Sequence, residues 1–430
     1  MNIINKILKG DKVIWIVALF LGIVSLVVVY SATSALVVNK YGGDTGKLLL
    51  KHGGTLLLGY LAMFIAYIID YKHYSKASKL LLIPILILLA YTLLFGRNLN
   101  DASRSINIFG FSFQPSEWAK IILLTYISRE LVMMGDKLNS FKEVLLHIGL
   151  PMFATVGLIF TENLSTAVIL LGSSLVLLFI GHVKFKHILA LLGIGVAALM
   201  IIIIIDMAST NISNNKKEKA HNEMVANGTA FGEFSPKITR AQTWLNRIEA
   251  AFEDDDEKID YFDDHHFQKT YAQIAVATGN FTGKGPGKSE QRNFLPHPYS
   301  DFIFAIIIEE YGIIGALLVM LLYIIFFNRV IRIVAKRPFT FGAYMAFGLA
   351  FILFFQAMVN MGVSVGLLPV TGQPLPFISM GGTSMMATGF IIGMILSVTR
   401  DIANEETEKQ IIESEIENEN TDERAVESCD

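Results

Sequence analysis

The chain has 430 residues, 53% of them hydrophobic and 17% charged, with 30 phenylalanines and a mean hydropathy of +0.51. That composition excludes an ordinary water-soluble domain and points to a protein that crosses a bilayer many times. The single cysteine, Cys429, excludes a disulfide framework and a thiolate metal site. The net charge of −3 is unevenly spread. From Asp401 to Asp430 twelve acidic residues face only Lys409 and Arg424, a net of −10, which leaves about +7 on residues 1–400.

A hydrocarbon core of about 30 Å takes roughly 20 apolar helical residues to cross. Such runs recur near 12–36, 48–69, 79–95, 115–134, 143–160, 164–181, 186–206, 301–327, 340–363 and 380–399. The fold class is therefore all-α and polytopic, with about ten transmembrane helices and one large extracytoplasmic loop before the eighth. Lys6, Lys9 and Lys12 precede the first run as they would a signal peptide. Its apolar core from Val13 to Tyr30 ends without a small-residue cleavage site, so it reads as an uncleaved span. With residues 1–11 inside, the short inner loops hold fifteen Lys and Arg and the short outer loops five. This asymmetry places both termini in the cytoplasm and the 207–300 loop outside. The membrane domain then covers 12–400, and the acidic tail 401–430 reads as disordered and solvated.

Several polar stretches interrupt this pattern. Before the fourth span, Arg97 and Arg104 lie on an outer loop, followed by Gln114-Pro-Ser-Glu117-Trp-Ala-Lys120. Pro, Glu and a Glu–Lys pair three apart are ordinary helix-start chemistry, and Lys120 is equally readable as a contact for an anionic headgroup. Glu162 falls in the turn Thr161-Glu-Asn-Leu-Ser-Thr166, more simply as a neighbour of a helix cap than as a cavity lining. In the large loop, residues 237–252 space Trp244, Ile248 and Phe252 four apart, as in an amphipathic surface helix. The eight carboxylates from Glu253 to Asp264 lack the ligand spacing of a calcium loop and read as a solvated surface.

The stretch Asn293-Phe-Leu-Pro-His-Pro-Tyr-Ser-Asp301, running on through an apolar helix to Glu309 and Glu310, is the most informative. Asp301 sits at a membrane–water boundary, with Glu309 and Glu310 roughly 12–14 Å further along the helix. A carboxylate at the mouth of a membrane cavity suits a general base that meets a lipid-linked substrate; a helix N-cap is the plainer alternative. From Gly366 to Ser384, three prolines and four glycines of low polarity read as a re-entrant wall, since irregular backbone at membrane depth survives only inside protein or along a cavity. No phosphate-binding loop, dinucleotide fingerprint or zinc-hydrolase motif is present, so the energy of any reaction comes from its substrate.

These motifs resemble those of the SEDS family (shape, elongation, division and sporulation), its division branch more than its elongation branch. The resemblance spans residues 12–400. It rests on Ala102-Ser-Arg104, Gln114–Lys120, Gly283-Lys-Gly-Pro-Gly-Lys-Ser289, Leu295–Ala305 with Glu309-Glu-Tyr-Gly312, and Gly366–Pro369 through Gly381-Gly382. Two positions depart from it. Glu162-Asn-Leu-Ser-Thr166 stands where many members have Pro-Asp-Leu-Gly-Thr, and Ser105 where they have tryptophan.

The resemblance implies a peptidoglycan glycosyltransferase that polymerises lipid II at the outer face of the cytoplasmic membrane, for septal wall synthesis. Asp301 would then be the catalytic base. Arg104, Lys120, Arg240 and Arg247 would face the pyrophosphate of the donor, and Glu117, Glu162, His297, Ser300 and Ser379 would line the substrate site. It implies no nucleotide; a divalent cation, Mg or Mn, is an alternative way to neutralise the leaving group. The implied partners are the growing glycan strand, a class B penicillin-binding protein and other division proteins. A lipid II flippase, or a non-catalytic scaffold that activates the penicillin-binding protein, are the rival readings.

Overall fold

A computed structural model describes residues 10–33, 45–95, 97–99, 102–108, 111–198, 264–295 and 298–427, with a few positions between 200 and 208. The helices are α1 (Lys12–Ala32), α2 (Thr45–Ile68), α3 (Tyr71–Phe95), α4 (Pro115–Met134), α5 (Phe141–Thr161), α6 (Leu164–Ile180) and α7 (Phe185–Ala198). They continue as α8 (Asp264–Gly279), α9 (Ile303–Val334), α10 (Phe341–Ser364) and α11 (Gly382–Glu427). Among the described residues seven of these are long and apolar enough to cross a membrane, and α6 and α7 are shorter apolar helices. The all-helical membrane fold expected from the apolar runs is thus the observed one.

Helix α4 explains itself by where it lies. It carries Glu117, Lys120, Arg129 and Glu130, yet most of its residues are buried among α3, α5, α6 and α10. Charged groups in a span face protein rather than lipid, so its charges mark it as the central helix. Lipid-facing positions are the reverse: Leu50, Ile83, Leu94 and Phe185 are exposed on the outside of the bundle. Helices α2 and α11 approach closely because the spacing Gly389-Phe-Ile-Ile-Gly393 leaves room. A Cβ on Gly389 would lie 2.0 Å from Gly59 O, and one on Gly393 2.1 Å from Met63 O.

Several expectations are corrected. The loop before α4 forms a small antiparallel sheet, β1 (Arg97–Leu99), β2 (Ala102–Ile108) and β3 (Phe111–Phe113), in that order. Helix α3 starts at Tyr71, ahead of its apolar run, because polar residues without a breaker continue a helix into water. Helix α8 was not legible in the sequence at all. The acidic tail is helical as far as Glu427 rather than disordered. Residues 394–427 contain neither glycine nor proline, and Glu, Ile, Ala and Lys all tolerate or favour helix. The surface helix expected over 237–252 and the acidic run up to residue 263 lie outside the described residues.

The most consequential correction concerns α9. Gly312 has φ 68° and ψ −170°, which breaks the helix after Tyr311. From Ile303 to Glu310 every side chain is buried, whereas Ile313, Ile314, Leu317, Leu318 and Leu321 are all exposed and apolar. Residues 313–334 alone reach roughly 33 Å, enough to span a bilayer. The lipid-facing part of α9 therefore begins at the break. Glu309 and Glu310 belong to a protein-covered layer at its N-terminal end and are not sunk 12–14 Å into hydrocarbon.

Candidate functional site

Between α10 and α11, residues 365–381 form no helix, as the prolines and glycines led us to expect. Backbone buried in this way needs partners for its carbonyls, and Pro374 and Pro376 offer no N–H of their own. Four polar side chains supply them. Asn360 Nδ2 donates to Gln373 O (2.7 Å), Gln356 Nε2 to Pro374 O (3.1 Å), Tyr323 Oη to Pro376 O, and Ser25 Oγ to Ile378 O (2.8 Å). His52 Nε2 lies 2.9 Å from Ser25 Oγ and holds that hydroxyl in place. Helices α1, α9 and α10 thus each fix one part of the wall.

The segment carrying Asp301 is pinned to this wall. Met380 N donates to Tyr299 O (2.9 Å), Ser379 Oγ to Ser300 O (2.5 Å), and Asn360 Nδ2 also to Asp301 O (2.9 Å). Ser379 accepts in turn from Leu375 N (2.7 Å), so its role here is to join two backbone segments. The Asp301 side chain is half-buried, and Ser300 Oγ donates to its Oδ1 (2.7 Å). On the other side Gly372, at φ 63°, comes so close that a Cβ there would sit 3.5 Å from Asp301 Oδ2. The N-cap alternative for Asp301 fails. Phe302 occupies that position, and no side chain caps the helix.

Behind the wall is a buried polar chain. Lys120 Nζ lies 3.0 Å from both Glu117 carboxylate oxygens and donates to Gln356 Oε1 (3.2 Å), with Lys120, Glu117 and Gln356 all at most 6% exposed. The Glu117–Lys120 pair therefore orients the amide that holds Pro374, and Lys120 spends its charge inside the protein. On the α6 side Gln373 Nε2 donates to Thr166 Oγ1 (3.0 Å) and Asn163 Oδ1 (3.3 Å), while Asn163 caps α6 through Thr166 N. Asn163 is the cap of that turn and Glu162 its neighbour, as the sequence led us to expect. Glu162 ends the preceding helix.

A second constellation uses the two carboxylates that follow Asp301. The glycine-rich loop 283–292 folds over Glu309 and Glu310, whose peptide carbonyls accept from Lys284 N and Gly285 N (both 2.9 Å). Glu309 is fully buried. It accepts from Lys284 Nζ (2.9 Å), Ser289 Oγ (2.5 Å), Glu290 N (3.1 Å) and Gln291 N (3.3 Å). Glu310 accepts from Ser31 Oγ at the end of α1 and from Ser289 N (3.4 Å), with Arg292 Nη1 at 4.0 Å. The hydrogen bond from Lys284 to Glu309 pushes the Lys284 pKa above its ordinary value, so the ammonium stays charged at neutral pH. A loop of this kind would suit a phosphate, but here its donors are filled by the protein's own carboxylates. Glu309 and Glu310 are thus fastenings of this loop rather than steps of a polar path across the bilayer, such as a flippase would need.

The remaining sequence candidates divide simply. The backbone of Arg104 lies in β2, just before α4. Arg240, Arg247 and His297 lie outside the described residues. Sequence reasoning missed Gln356, Asn360 and Gln373 at the wall, and Ser31, Lys284, Ser289 and Arg292 around the second constellation. The first two had a signal: amides four apart in an otherwise apolar helix are costly unless they face protein.

The chain is similar to several known proteins. The profile of the cell cycle protein family of FtsW, RodA and SpoVE matches residues 11–404. A relative from Geobacter sp. (strain M18), named "Probable peptidoglycan glycosyltransferase FtsW", is 30% identical over 394 residues, which cover 90% of this chain and 96% of the relative. Stage V sporulation protein E of Bacillus subtilis is 29% identical over 403 residues, covering 92% and 98%. Among solved structures, a chain of a peptidoglycan synthase complex that coordinates polymerization and crosslinking superposes with a TM-score of 0.66 at 23% identity, over 91% of this chain and 98% of that one. The rod shape determining protein RodA of Thermus thermophilus gives 0.59 at 22% identity, over 91% and 97%. These two likenesses establish the fold.

Proposed function

Because the chain belongs to the cell cycle protein family of FtsW, RodA and SpoVE, we propose that it is a peptidoglycan glycosyltransferase that polymerises lipid II for the septal wall. The observation that carries this reading is the fixation of Asp301. A carboxylate outside any helix is clamped by its own backbone to an irregular wall, with Gly372 adjoining Oδ2. Asp301 takes the proton from the 4-hydroxyl of the acceptor sugar as that oxygen attacks the anomeric carbon of the donor. The donor's bond to undecaprenyl pyrophosphate breaks, and the pyrophosphate leaves with the electron pair. General base assistance of this type is worth about 10²–10⁴-fold. No nucleotide is needed, because the pyrophosphate is already a good leaving group.

The departing charge needs a positive neighbour. Arg104, Arg240 and Arg247 are the side chains we assign to it, since Lys120 is paired with Glu117. A divalent cation, Mg or Mn, is compatible with the site in one form. Among the described residues no three His, Cys, Asp or Glu side chains cluster as ligands, so it would rest chiefly on oxygens of the pyrophosphate and on water, a mode usual for Mg. Such an ion would supply charge neutralisation.

The site belongs to the outer face of the cytoplasmic membrane, with both termini inside, on the Lys and Arg asymmetry of the short loops. A cysteine replacing exposed Lys288 should react with an impermeant maleimide in intact cells, and native Cys429 only after permeabilisation; the reverse order would invert the topology. A class B penicillin-binding protein is the partner we assign, to crosslink the strands this chain makes. The function itself is tested by incubating the purified protein, with and without that partner, with labelled lipid II. A ladder of glycan strands is expected. Lipid II moved across vesicles with no polymer in either preparation would support the flippase instead.

A further inference from the structure

Asn360 does more at this site than hold the wall. It is 1% exposed, and its amide nitrogen serves two chains at once: Asp301 O at 2.9 Å and Gln373 O at 2.7 Å. The first backbone bonds of α9 run to Phe302 O, one residue further on, so the Asp301 carbonyl is held from α10. Beside the bonds at Tyr299 and Ser300, this amide fixes the residue that carries the base itself to the wall in front of it, where Gly372 adjoins Asp301 Oδ2.

Comparison with Gln356, one turn earlier on the same face of α10, sharpens the point. Gln356 also donates to the wall, at Pro374 O, and its own oxygen accepts from Lys120. Asn360 Oδ1 is buried with no partner among the described residues. A buried acceptor left unpaired is destabilising and rare, and residues that tolerate one concentrate where function requires the geometry. Gln356 has partners for both ends of its amide, Lys120 and the wall; Asn360 lacks one and reaches the segment of the base.

We propose that Asn360 is a positioning residue for the transfer reaction, its amide fixing the Asp301 backbone against the Gly372–Gln373 wall and so the place from which the carboxylate takes the acceptor proton. The proposal rests on the reading of Asp301 as the base. A displacement of about 1 Å at a reacting group can cost on the order of a hundredfold in rate, and Asp301 stands outside the helical ladder of α9.

The test uses the full-length protein with its partner and labelled lipid II, comparing Asn360→Ala, Asn360→Ser and Asp301→Asn with the native chain. Asn360→Ala should lower kcat about a hundredfold with KM within about twofold, because it disturbs the reacting geometry and leaves binding groups intact. It should also displace the acid limb of the pH–rate profile, which reports the base. Asn360→Ser retains one donor and should fall between. Native kcat and a native acid limb in both variants would overturn the proposal, as would a loss of rate matched by the loss of folded protein. Should Asn360→Ala fail to fold, the kcat and acid limb of Asn360→Ser decide alone. Polymer made by Asp301→Asn at the native rate defeats the parent reading instead, whatever the Asn360 variants do.

Discussion

Asp301→Asn is expected to abolish glycan polymerisation, by about two to four orders of magnitude, while the protein inserts, folds and binds its partner as before. The structure makes the comparison clean. Phe302, not Asp301, stands at the N-cap of α9, so the substitution removes no capping interaction. Asn retains an oxygen for the hydrogen bond from Ser300, and the backbone carbonyl still accepts from Asn360. What disappears is the proton acceptor. Asp301→Ala should be equally inactive and lose in addition about 1 kcal/mol for the bond from Ser300, rather than the cap energy that the sequence suggested. The measurement is gel resolution of strands from labelled lipid II, alongside thermal unfolding in detergent. Strands made at the native rate by purified Asp301→Asn, with no other polymerase present, would remove Asp301 from the reaction.

The bundle was legible because lipid enforces a simple rule: a spanning helix must be long and apolar, and its cations gather on one side. The wall at 366–381 was legible for a related reason, since backbone kept out of a helix by prolines and glycines cannot sit in lipid unless protein covers it. The role of Glu309 and Glu310 was not. Counting residues along α9 assumed one straight helix, and the assumption failed at Gly312. A Cβ there would lie 2.2 Å from Phe281 O, so the break depends on a loop from an earlier part of the chain. The hydropathy of α9 gives no sign of it, because buried and lipid-facing isoleucines look alike in a sequence. Lys120 was equally opaque. Three residues from Glu117 it reads as a helix pair or as a headgroup contact, and only the arrival of Gln356 from α10 shows that its charge is used to orient the wall. Helix α8 and the sheet over 97–113 were missed because neither has the long apolar period on which the reading relied.

Removing one fastening of the glycine-rich loop should cost more stability than any change at the reacting carboxylate. Glu309→Ala strips four donors of their acceptor, among them a lysine ammonium and two peptide N–H groups. Breaking a buried ion pair at one partner typically costs about 3–5 kcal/mol, and about 3 is expected here because Lys284 is 24% exposed and can turn toward water. Glu309→Gln keeps one oxygen and the volume and should lose roughly half as much. Lys284→Met leaves the fully buried Glu309 charge without its cation and should lose a comparable amount, although Ser289, Glu290 and Gln291 continue to hold the carboxylate. A double-mutant cycle between the two positions isolates the pair. The pH dependence has a definite sign. A lysine whose folded pKa is raised contributes stability that is complete below its unfolded pKa and is lost only as pH rises through the folded value. The contribution of Lys284 should therefore be flat from about pH 6 to about pH 9 and fade at higher alkalinity. Thermal unfolding in detergent and limited proteolysis of the 283–292 loop both report the effect. If Glu309→Ala melted with the native protein and its loop resisted cleavage, the loop would be held by its glycine-mediated backbone contacts to Glu309 O and Glu310 O alone, and the two carboxylates would need another purpose.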